Sequence, residues 1–325
     1  MIEVIKPGLE TSVQDYPGRV GYWAQGFPPS GPMDDWSFRL ANLLVGNAPG
    51  AAAFECQFAG PTLRFHSASV IAVCGADMKP TLDGSNLPMW ESVAVNPGDV
   101  LAVSFAVAGA RAYIAVMGGV DTPPSLGSRS TFHKAGVGGI EGHALKVGQL
   151  IPVGNGRVRA GRRVKPEARP AFATGKMWNV EVVRGPNDDW IDEDGHQRFL
   201  ATEWKLSSKS DRTGFRLDGP QWTFTAKATR KAPEHGSEPS NIIDQGYPVG
   251  AINLAGQTPI ILVNDGPSMG GFINPYTVPS AAFWKLGQAK PAEILRFDAV
   301  SVEAAQALRR KIDAVCAETS IIQSD

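Results

Sequence analysis

Residues 100–117 read VLAVSFAVAGARAYIAVM, two apolar runs separated by a glycine. Runs of four to eight residues that are rich in β-branched and aromatic side chains and bounded by turn residues are typical of strands. Runs of the same kind recur along the chain between Gly- and Pro-rich turns: Ser69–Cys74, Val100–Val107, Arg111–Met117, Trp178–Arg184 and Ile260–Val263. The pattern predicts a protein built mainly from short β-strands.

The composition favours the same fold class. The 325 residues include 36 glycines and 25 prolines, and only 19% are charged, which disfavours a helical bundle or a coiled coil. Basic residues number 31 and acidic residues 32, so the net charge is -1. A general nucleic-acid or acidic-membrane binder would show a basic excess, so we exclude both classes.

The cysteines and the apolar stretches predict a cytoplasmic location. Cys56, Cys74 and Cys316 are odd in number and far apart, which indicates reduced thiols rather than disulfides. The first residues show no basic start followed by an apolar run, and no apolar stretch is long enough to span a bilayer. We therefore expect no signal peptide and no membrane segment.

A few helices are expected among the strands. Asp34 or Asp35 can cap a helix whose apolar face carries Trp36, Leu40, Leu43 and Leu44, and Gly46 ends it. Three further stretches have helical spacing of apolar residues: Asp188–Ala201, Ser280–Leu286 and Val302–Ala317.

Residues 154–176 differ from their surroundings and predict a domain boundary. They contain Arg157, Arg159, Arg162, Arg163, Lys165, Arg169 and Lys176 against the single acidic residue Glu167. A basic, proline-containing segment with few apolar residues is typical of a linker. We predict an N-terminal β-lobe over 1–153, a basic linker over 154–176, and a C-terminal β-lobe with a terminal helix over 177–325.

A weak internal repeat accompanies this division. Residues 25–28 (QGFP) are echoed at 245–248 (QGYP), and residues 59–62 (AGPT) are echoed at 255–258 (AGQT). Either two related lobes arose by duplication, or turns rich in glycine and proline are similar by chance.

Several motifs can be rejected on physical grounds. Residues 266–270 (GPSMG) match a nucleophile elbow, but no histidine follows His235, so a hydrolase triad is excluded. What remains is a Gly-rich turn whose N–H groups can bind an oxyanion or a carboxylate. In residues 136–142 (GVGGIEG), Glu141 replaces the third glycine of a dinucleotide fingerprint. The five histidines are isolated, so we predict no metal site.

Ordered blocks of sequence carry a resemblance. The N-terminal half contains GFPPSGPMDDWSFRLANLLVGN and LGSRSTFHKAGVGGIEGHALKVGQLI, and the C-terminal half contains RTGFRLDGP, PSNIIDQGYPVGAI and DGPSMGGF. These blocks resemble the biotin-dependent carboxyltransferase family, also called allophanate hydrolase subunit 2, which includes the KipA-type proteins. They are most similar to the carboxyltransferase region of urea carboxylase, and the resemblance runs from about Ile2 to Phe297.

The resemblance implies a fold, partners and a cofactor. The expected fold is mainly β, with two cyclophilin-like β-barrel lobes and a few short helices. The expected partners are a subunit-1 (KipI-like) protein, a biotin carboxylase and a biotin carboxyl carrier, and the expected substrate is a small amide. Biotin, as carboxybiotin, would be carried on another chain or domain.

The resemblance also implies a site. Carboxyl transfer needs a proton acceptor, hydrogen-bond donors for developing negative charge, and a desolvated pocket. We expect Asn241 to orient the acceptor, because an amide donates and accepts together, and we assign Asp265 beside it as catalytic. The expected substrate-binding residues are Ser240, Ser268, Gly270, Gly271, Ser30, Asp34 and Arg129. N-capping alone explains Asp34, and a turn alone explains Asn241. No residue of this chain is assigned as the general base.

Four short segments depart from the urea-carboxylase pattern. That pattern usually has Gly-Pro-His where this chain has Gly185-Pro186-Asn187, and Cys-Pro-Ala-Thr where it has Asn274-Pro275-Tyr276-Thr277. It usually has Asp-Asn-Ala-Tyr in place of residues 244–247 (DQGY), and Gly-Arg in place of residues 142–143 (GH). The departures leave carboxyl transfer intact and place urea itself in question.

Three readings follow. The leading hypothesis is a carboxyltransferase subunit that carboxylates a nitrogen of urea, guanidine or a related amide or amidine. The second is the third subunit of a bacterial 5-oxoprolinase, with 5-oxoproline as ligand. The third is a KipA-type regulator that binds a KipI-like kinase inhibitor and needs no carboxylation pocket.

Overall fold

The computed structural model describes residues 1–173 and 175–323. The chain forms two compact units. The first contains Met1–Tyr22, Pro29–Phe172 and the described residues from Lys311 onward, and the second contains Trp23–Pro28 and Ala173–Arg310.

Strands dominate both units, as predicted. The strands are β1 (Ile2–Lys6), β2 (Glu10–Gln14), β3 (Ala53–Gln57), β4 (Thr62–Phe65), β5 (Ser69–Asp77), β6 (Thr81–Leu82), β7 (Ser85–Asn86), β8 (Ser92–Val95), β9 (Val100–Ala102), β10 (Ala108–Val116), β11 (Leu150–Ile151), β12 (Arg162–Val164), β13 (Met177–Arg184), β14 (Trp204–Leu206), β15 (Gly214–Asp218), β16 (Asn241–Gly246), β17 (Ala251–Ala255), β18 (Thr258–Leu262), β19 (Met269–Phe272), β20 (Tyr276–Thr277), β21 (Ile294–Ala299) and β22 (Ile321–Gln323). The helices are α1 (Asp35–Leu44), α2 (Glu193–Ala201), α3 (Ala226–Thr229), α4 (Phe283–Gln288) and α5 (Val302–Val315). None of the helices within the described ranges has the length and apolar content that a bilayer crossing requires.

The first unit is built on two antiparallel sheets. One has six strands in the order β11-β1-β4-β9-β6-β7, and the other has five in the order β2-β3-β10-β5-β8. Their apolar side chains, among them Phe65, Ile71, Val73 and Ile114, form one buried cluster. Helix α1 packs against β5 and β10.

Helix α1 has the N-cap and the terminal glycine that the sequence predicts. The Asp34 side chain accepts from the Ser37 N–H over 2.9 Å, which satisfies one of the first N–H groups of the helix. Gly46 follows the helix with a φ of 71°, a conformation that glycine adopts without steric cost.

The second unit contains a closed barrel in the strand order β13-β20-β17-β18-β15-β14-β21. An aromatic core fills this unit, and Phe199 of α2 is at its centre. Its ring stacks on Tyr276 at 4.5 Å and on Phe297 at 4.7 Å between centroids. Strands β16 and β19 pair with each other in a separate two-stranded ribbon.

The structural division differs from the sequence-based one at the basic segment. Residues 154–172 lie in the first unit, where β12 pairs with β22 and Val164 is fully buried. One guanidinium nitrogen of Arg162 donates to the Leu43 carbonyl over 2.8 Å, and the Trp36 indole donates to the Ala168 carbonyl over 2.9 Å. The basic side chains therefore extend from a packed segment, which composition alone describes as a linker.

The strand run predicted over Val100–Val107 is shorter in the structure. Strand β9 ends at Ala102, and the N–H groups that follow bond to loop partners: Val103 to Pro61, Ser104 to Met78 and Ala106 to Phe58. The echoed QGFP and QGYP blocks also differ in setting, because Gln25 ends a 3₁₀ turn while Gln245 lies within β16. These settings favour chance similarity over duplication for this pair of blocks.

Candidate functional site

The ribbon of β16 and β19 brings together most of the predicted second-lobe residues. Asn241 pairs with Phe272, and Gln245 pairs with Gly270. Between these pairs lie three residues of β16 but one residue of β19, so the ladder is irregular there. Such an irregularity re-aims side chains next to a strand end, and here it lies between Asn241 and the two glycines.

Asn241 is held by its main chain. Its N–H donates to the Glu238 carbonyl over 2.9 Å, and its carbonyl accepts from the Lys231 ammonium over 2.6 Å. The side chain is half-buried, and within residues 1–173 and 175–323 its amide makes no hydrogen bond. The main chain of Asn241 is therefore held in place, and its side-chain amide is available to bind a ligand.

Ser240 fixes the start of the ribbon and is not accessible to a ligand. The residue is fully buried, its hydroxyl accepts from the Gly256 N–H over 3.1 Å, and its carbonyl accepts from the Ile273 N–H over 2.9 Å. Both groups are thus engaged inside the protein, which suits a residue that positions Asn241 rather than one that contacts a ligand.

The two glycines of β19 lie close to neighbouring atoms. A Cβ on Gly270 would lie 2.9 Å from the Tyr247 ring, and one on Gly271 would lie 3.0 Å from the Ile242 carbonyl oxygen. The Tyr247 hydroxyl donates to the Phe272 carbonyl over 2.9 Å, and burial raises its pKa. Ser268 precedes the strand, is half-buried, and its hydroxyl has no hydrogen-bond partner in the described part of the chain.

Asp265 lies before this turn and is committed to an ion pair. One carboxylate oxygen accepts from Arg212 Nε over 3.0 Å, and the Asp265 N–H donates to the Arg212 carbonyl over 2.8 Å. Both side chains are buried. The pair ties the DGPSMGG turn to the RTGFRL block, so Asp265 anchors the loop that carries Ser268, Gly270 and Gly271.

In the first unit, Ser30 and Arg129 lie in two separate loops. Ser30 is buried with a φ of 56°, and the next N–H, of Gly31, donates to the Gln14 side chain over 3.0 Å. The Arg129 guanidinium donates to the Thr122 carbonyl over 2.6 Å and to Asp121 over 2.9 Å. A left-handed serine is uncommon and marks a constrained loop.

Asp34 has a different setting from Ser30 and Arg129. It is fully buried and caps α1, with its second carboxylate oxygen accepting from the Ser37 hydroxyl over 2.6 Å. Its own N–H donates to the Tyr113 hydroxyl over 2.8 Å, and that hydroxyl donates to Glu55 over 2.8 Å. Capping and this buried network engage Asp34.

Sequence reasoning missed a cluster of three amide residues. The Asn187 side-chain oxygen accepts from Gln245 Nε2 over 2.7 Å and from the Asn274 N–H over 2.8 Å. These residues stand at three of the four segments where the chain departs from the urea-carboxylase pattern. The departures were visible in the sequence, but their contact was not, because Asn187 is 58 residues from Gln245 and 87 from Asn274.

The described residues contain no group of three or more His, Cys, Asp and Glu side chains arranged to hold a metal ion. Besides the carboxylate of Asp244 on β16, the polar groups at the ribbon are amides, hydroxyls and main-chain groups. They can orient a neutral polar molecule and donate to developing negative charge.

The comparisons with known proteins identify the class of protein, a carboxyltransferase domain. Residues 25–299 match the family model of the carboxyltransferase domain, subdomain A and B, and the chain belongs to this family. It is 40% identical over 323 residues to urea amidolyase of Lachancea kluyveri, covering 96% of this chain and 18% of that protein. The crystal structure of Kluyveromyces lactis urea carboxylase superposes with a TM-score of 0.90 at 38% identity, covering 100% of this chain and 30% of that one.

The chain spans about a fifth of the length of the urea amidolyases that it matches. A second kind of relative matches over nearly its whole length. The chain is 32% identical over 312 residues to a 5-oxoprolinase subunit of Escherichia coli, covering 95% of this chain and 94% of that protein.

Proposed function

We propose that this chain is the carboxyltransferase component of a biotin-dependent, urea-carboxylase-like enzyme. It transfers a carboxyl group from carboxybiotin, carried on another chain or domain, to a nitrogen of a small amide or amidine such as urea or guanidine. The higher identity to urea amidolyase, 40% against 32% for the 5-oxoprolinase relative, supports this choice.

One observation carries the proposal. The main-chain N–H and carbonyl of Asn241 are both hydrogen-bonded, whereas its side-chain amide makes no hydrogen bond within the described residues. A primary amide presents a donor and an acceptor side by side, which complements the donor and acceptor of a urea or an amide. Because the main chain is held by Glu238 and Lys231, only the side-chain torsions of Asn241 must be ordered when the acceptor binds. Asn241 therefore orients the acceptor nitrogen for attack.

The ribbon also suits a bound biotin ring. Gly270 and Gly271 place no side chain between their main chain and a ligand, and the Ser268 hydroxyl is available as a donor. Carboxybiotin, when bound, supplies the activated carboxyl group. Ser268 and the main chain at Gly270 and Gly271 hold that group, and Ser240 and Asp265 keep the ribbon and its turn in place.

The first-unit candidates act mainly through loop structure in this proposal. Ser30 and Arg129 order two loops, and Asp34 caps α1. The chain acts with a subunit-1 (KipI-like) partner, and no residue of this chain is assigned as the proton acceptor. A biotin carboxylase and a biotin carboxyl carrier complete the assembly, which we place in the cytoplasm.

The test combines the chain with its partner subunit and a carboxybiotinyl carrier. Decarboxylation of the carrier is measured with urea, guanidine, other small amides and 5-oxoproline. We expect an amide or amidine to stimulate turnover, and Asn241→Ala to remove that stimulation while partner binding persists. Asn86→Ala, in the exposed strand β7, is the control. The proposal fails if no amide or amidine stimulates turnover while the partner still binds.

5-Oxoproline is included because the Escherichia coli 5-oxoprolinase relative matches over 94% of its length. Stimulation by 5-oxoproline alone would assign the chain to that enzyme instead. In that case Asn241 would contact a cyclic amide, and the same Asn241→Ala variant would report on it.

A further inference from the structure

Lys231 occupies an unusual position for a half-buried lysine. Its ammonium donates to two main-chain carbonyls, those of Glu238 and Asn241, the latter over 2.6 Å. The Glu238 carbonyl also accepts the Asn241 N–H over 2.9 Å. One cation thus bridges the two ends of the turn 238–241, at the residue whose side chain orients the acceptor.

The Lys231 ammonium has an aromatic ring beside it and, among the described residues, no carboxylate partner that would compete with these carbonyls. The Lys231 nitrogen lies 5.7 Å from the centre of the Trp190 ring, a favourable cation–π contact, and in residues 1–173 and 175–323 it forms no salt bridge. Burial lowers its pKa, while the nearby Glu238 carboxylate opposes that shift. The neighbouring Lys227 also lies over Trp190, at 5.4 Å, but it pairs with Asp189 at 2.5 Å.

A further hydrogen bond fixes the main chain beyond Asn241. His235 Nδ1 accepts from the Ile243 N–H over 3.1 Å, so the main chain is also fixed two residues further along β16. Between Glu238 and Ile243 the Asn241 backbone has no freedom to rotate without breaking one of these bonds. Only the side-chain torsions of Asn241 remain free.

We propose that Lys231 is a positioning residue, which sets the Asn241 amide in place by bridging the Glu238 and Asn241 carbonyls. It acts through Asn241 and touches neither the acceptor nor the carboxyl group. The activity consequence rests on the proposed function, whereas the structural consequence does not.

The matched variants are Lys231→Met, Lys231→Arg and Lys227→Met. Methionine keeps an apolar stem against Trp190 and removes the ammonium, and arginine keeps both the charge and the donors. Lys227→Met removes the other cation over Trp190 without touching Asn241.

The first readout is hydrogen exchange of the Asn241 N–H in the 325-residue chain. We expect Lys231→Met to speed this exchange by about tenfold or more, and the other two variants to change it by less than about threefold. The N–H of Leu254, which donates to Ile273 over 3.1 Å, reports whether the barrel itself is disturbed. An unchanged Asn241 exchange rate in Lys231→Met overturns the inference.

The second readout is amide-stimulated turnover with the partner subunit. A misplaced orienting group lowers the rate by about ten- to a hundredfold, so kcat should fall in Lys231→Met, recover in Lys231→Arg and stay unchanged in Lys227→Met. If Lys231→Met unfolds the chain, Lys231→Arg decides, because loss of turnover there at a normal Leu254 exchange rate also overturns the inference. If the unmodified chain shows no stimulated turnover, the proposed function fails, and hydrogen exchange still decides the role of Lys231.

Discussion

The side-chain amide of Gln245 donates to the side-chain oxygen of Asn187 over 2.7 Å, joining the ribbon to the loop that precedes α2. The same oxygen accepts from the Asn274 N–H over 2.8 Å. Three segments that differ from the urea-carboxylase pattern are therefore one hydrogen-bonded unit. Substitutions at residues that share an acceptor are energetically coupled, so we expect the effects of these three departures to be interdependent.

The first prediction concerns this shared acceptor. Asn187→Ala leaves the buried Asn274 N–H without its partner, so we expect the free energy of unfolding to fall by about 1–3 kcal/mol. Asn187→Asp keeps an oxygen at the same place and should lose less. Urea-induced unfolding measures both variants. Equal losses in the two variants would contradict the idea that the acceptor oxygen is what matters.

Much of the fold could be predicted from local sequence. The runs at Ser69–Cys74 and Trp178–Arg184 lie within β5 and β13, and the helix after Asp34 has the expected cap. These features depend on neighbours in sequence, where propensity and capping rules apply. The run at Val100–Val107 was only partly right, because hydrophobicity does not reveal where main-chain bonds leave a ladder.

The site could be predicted less completely, and the reason is again physical. Family blocks pointed to Asn241 and the Gly-rich turn, which the ribbon brings together. Lys231 carried no sequence signal, and Asn187 was visible only as a departure from the family pattern, since a carbonyl-bridging lysine and a shared amide oxygen exist only after distant segments pack. Asp265 was expected beside the chemistry, but its pairing with Arg212, 53 residues away, could not be read from the chain.

The second prediction concerns the Arg212–Asp265 pair. Removing one partner of a buried ion pair leaves an uncompensated charge, which costs about 3–5 kcal/mol. Asp265→Asn should therefore lower the free energy of unfolding by about that amount. The exposed pair of Arg296 and Glu203 is the control, because Glu203→Gln should cost less than about 1 kcal/mol. Denaturant unfolding checks both, and similar costs for the two variants would count against a buried pair.

The third prediction concerns acid sensitivity. His196 is buried, and its Nε2 lies 2.9 Å from the Asp188 carbonyl, which can only accept. Nε2 therefore carries the proton, and Nδ1 accepts from the Tyr276 hydroxyl over 2.8 Å. Burial, and then the positive charge of Arg184, lower the pKa of His196 below its ordinary value of 6.5.

The direction of the pH dependence of the free energy of unfolding follows from proton binding at His196. As the pH falls below 6.5, His196 takes up a proton in the unfolded chain. In the folded chain it takes up that proton only at a lower pH, because its pKa is lowered. The free energy of unfolding should therefore fall as the pH drops through this window. His196→Gln should flatten the dependence between about pH 7.5 and about pH 5, and His143→Gln, at an exposed site, should leave it unchanged. An unaltered slope in His196→Gln would remove His196 as the cause.

The last prediction concerns close approach at β19. A Cβ on Gly271 would lie 3.0 Å from the Ile242 carbonyl oxygen, a main-chain atom that moves only if β16 moves. Gly271→Ala should therefore shift the strand that carries Asn241, lower amide-stimulated turnover about tenfold or more, and cost about 1–3 kcal/mol of stability. A Cβ on Gly246 finds its nearest neighbour at 3.9 Å, so Gly246→Ala adds a methyl group to the same ribbon without a clash. Steady-state kinetics on the two variants separate crowding from a general loss of glycine flexibility. If both lose turnover equally, flexibility rather than close approach explains the glycines, and the ribbon need not bring its main chain against a ligand.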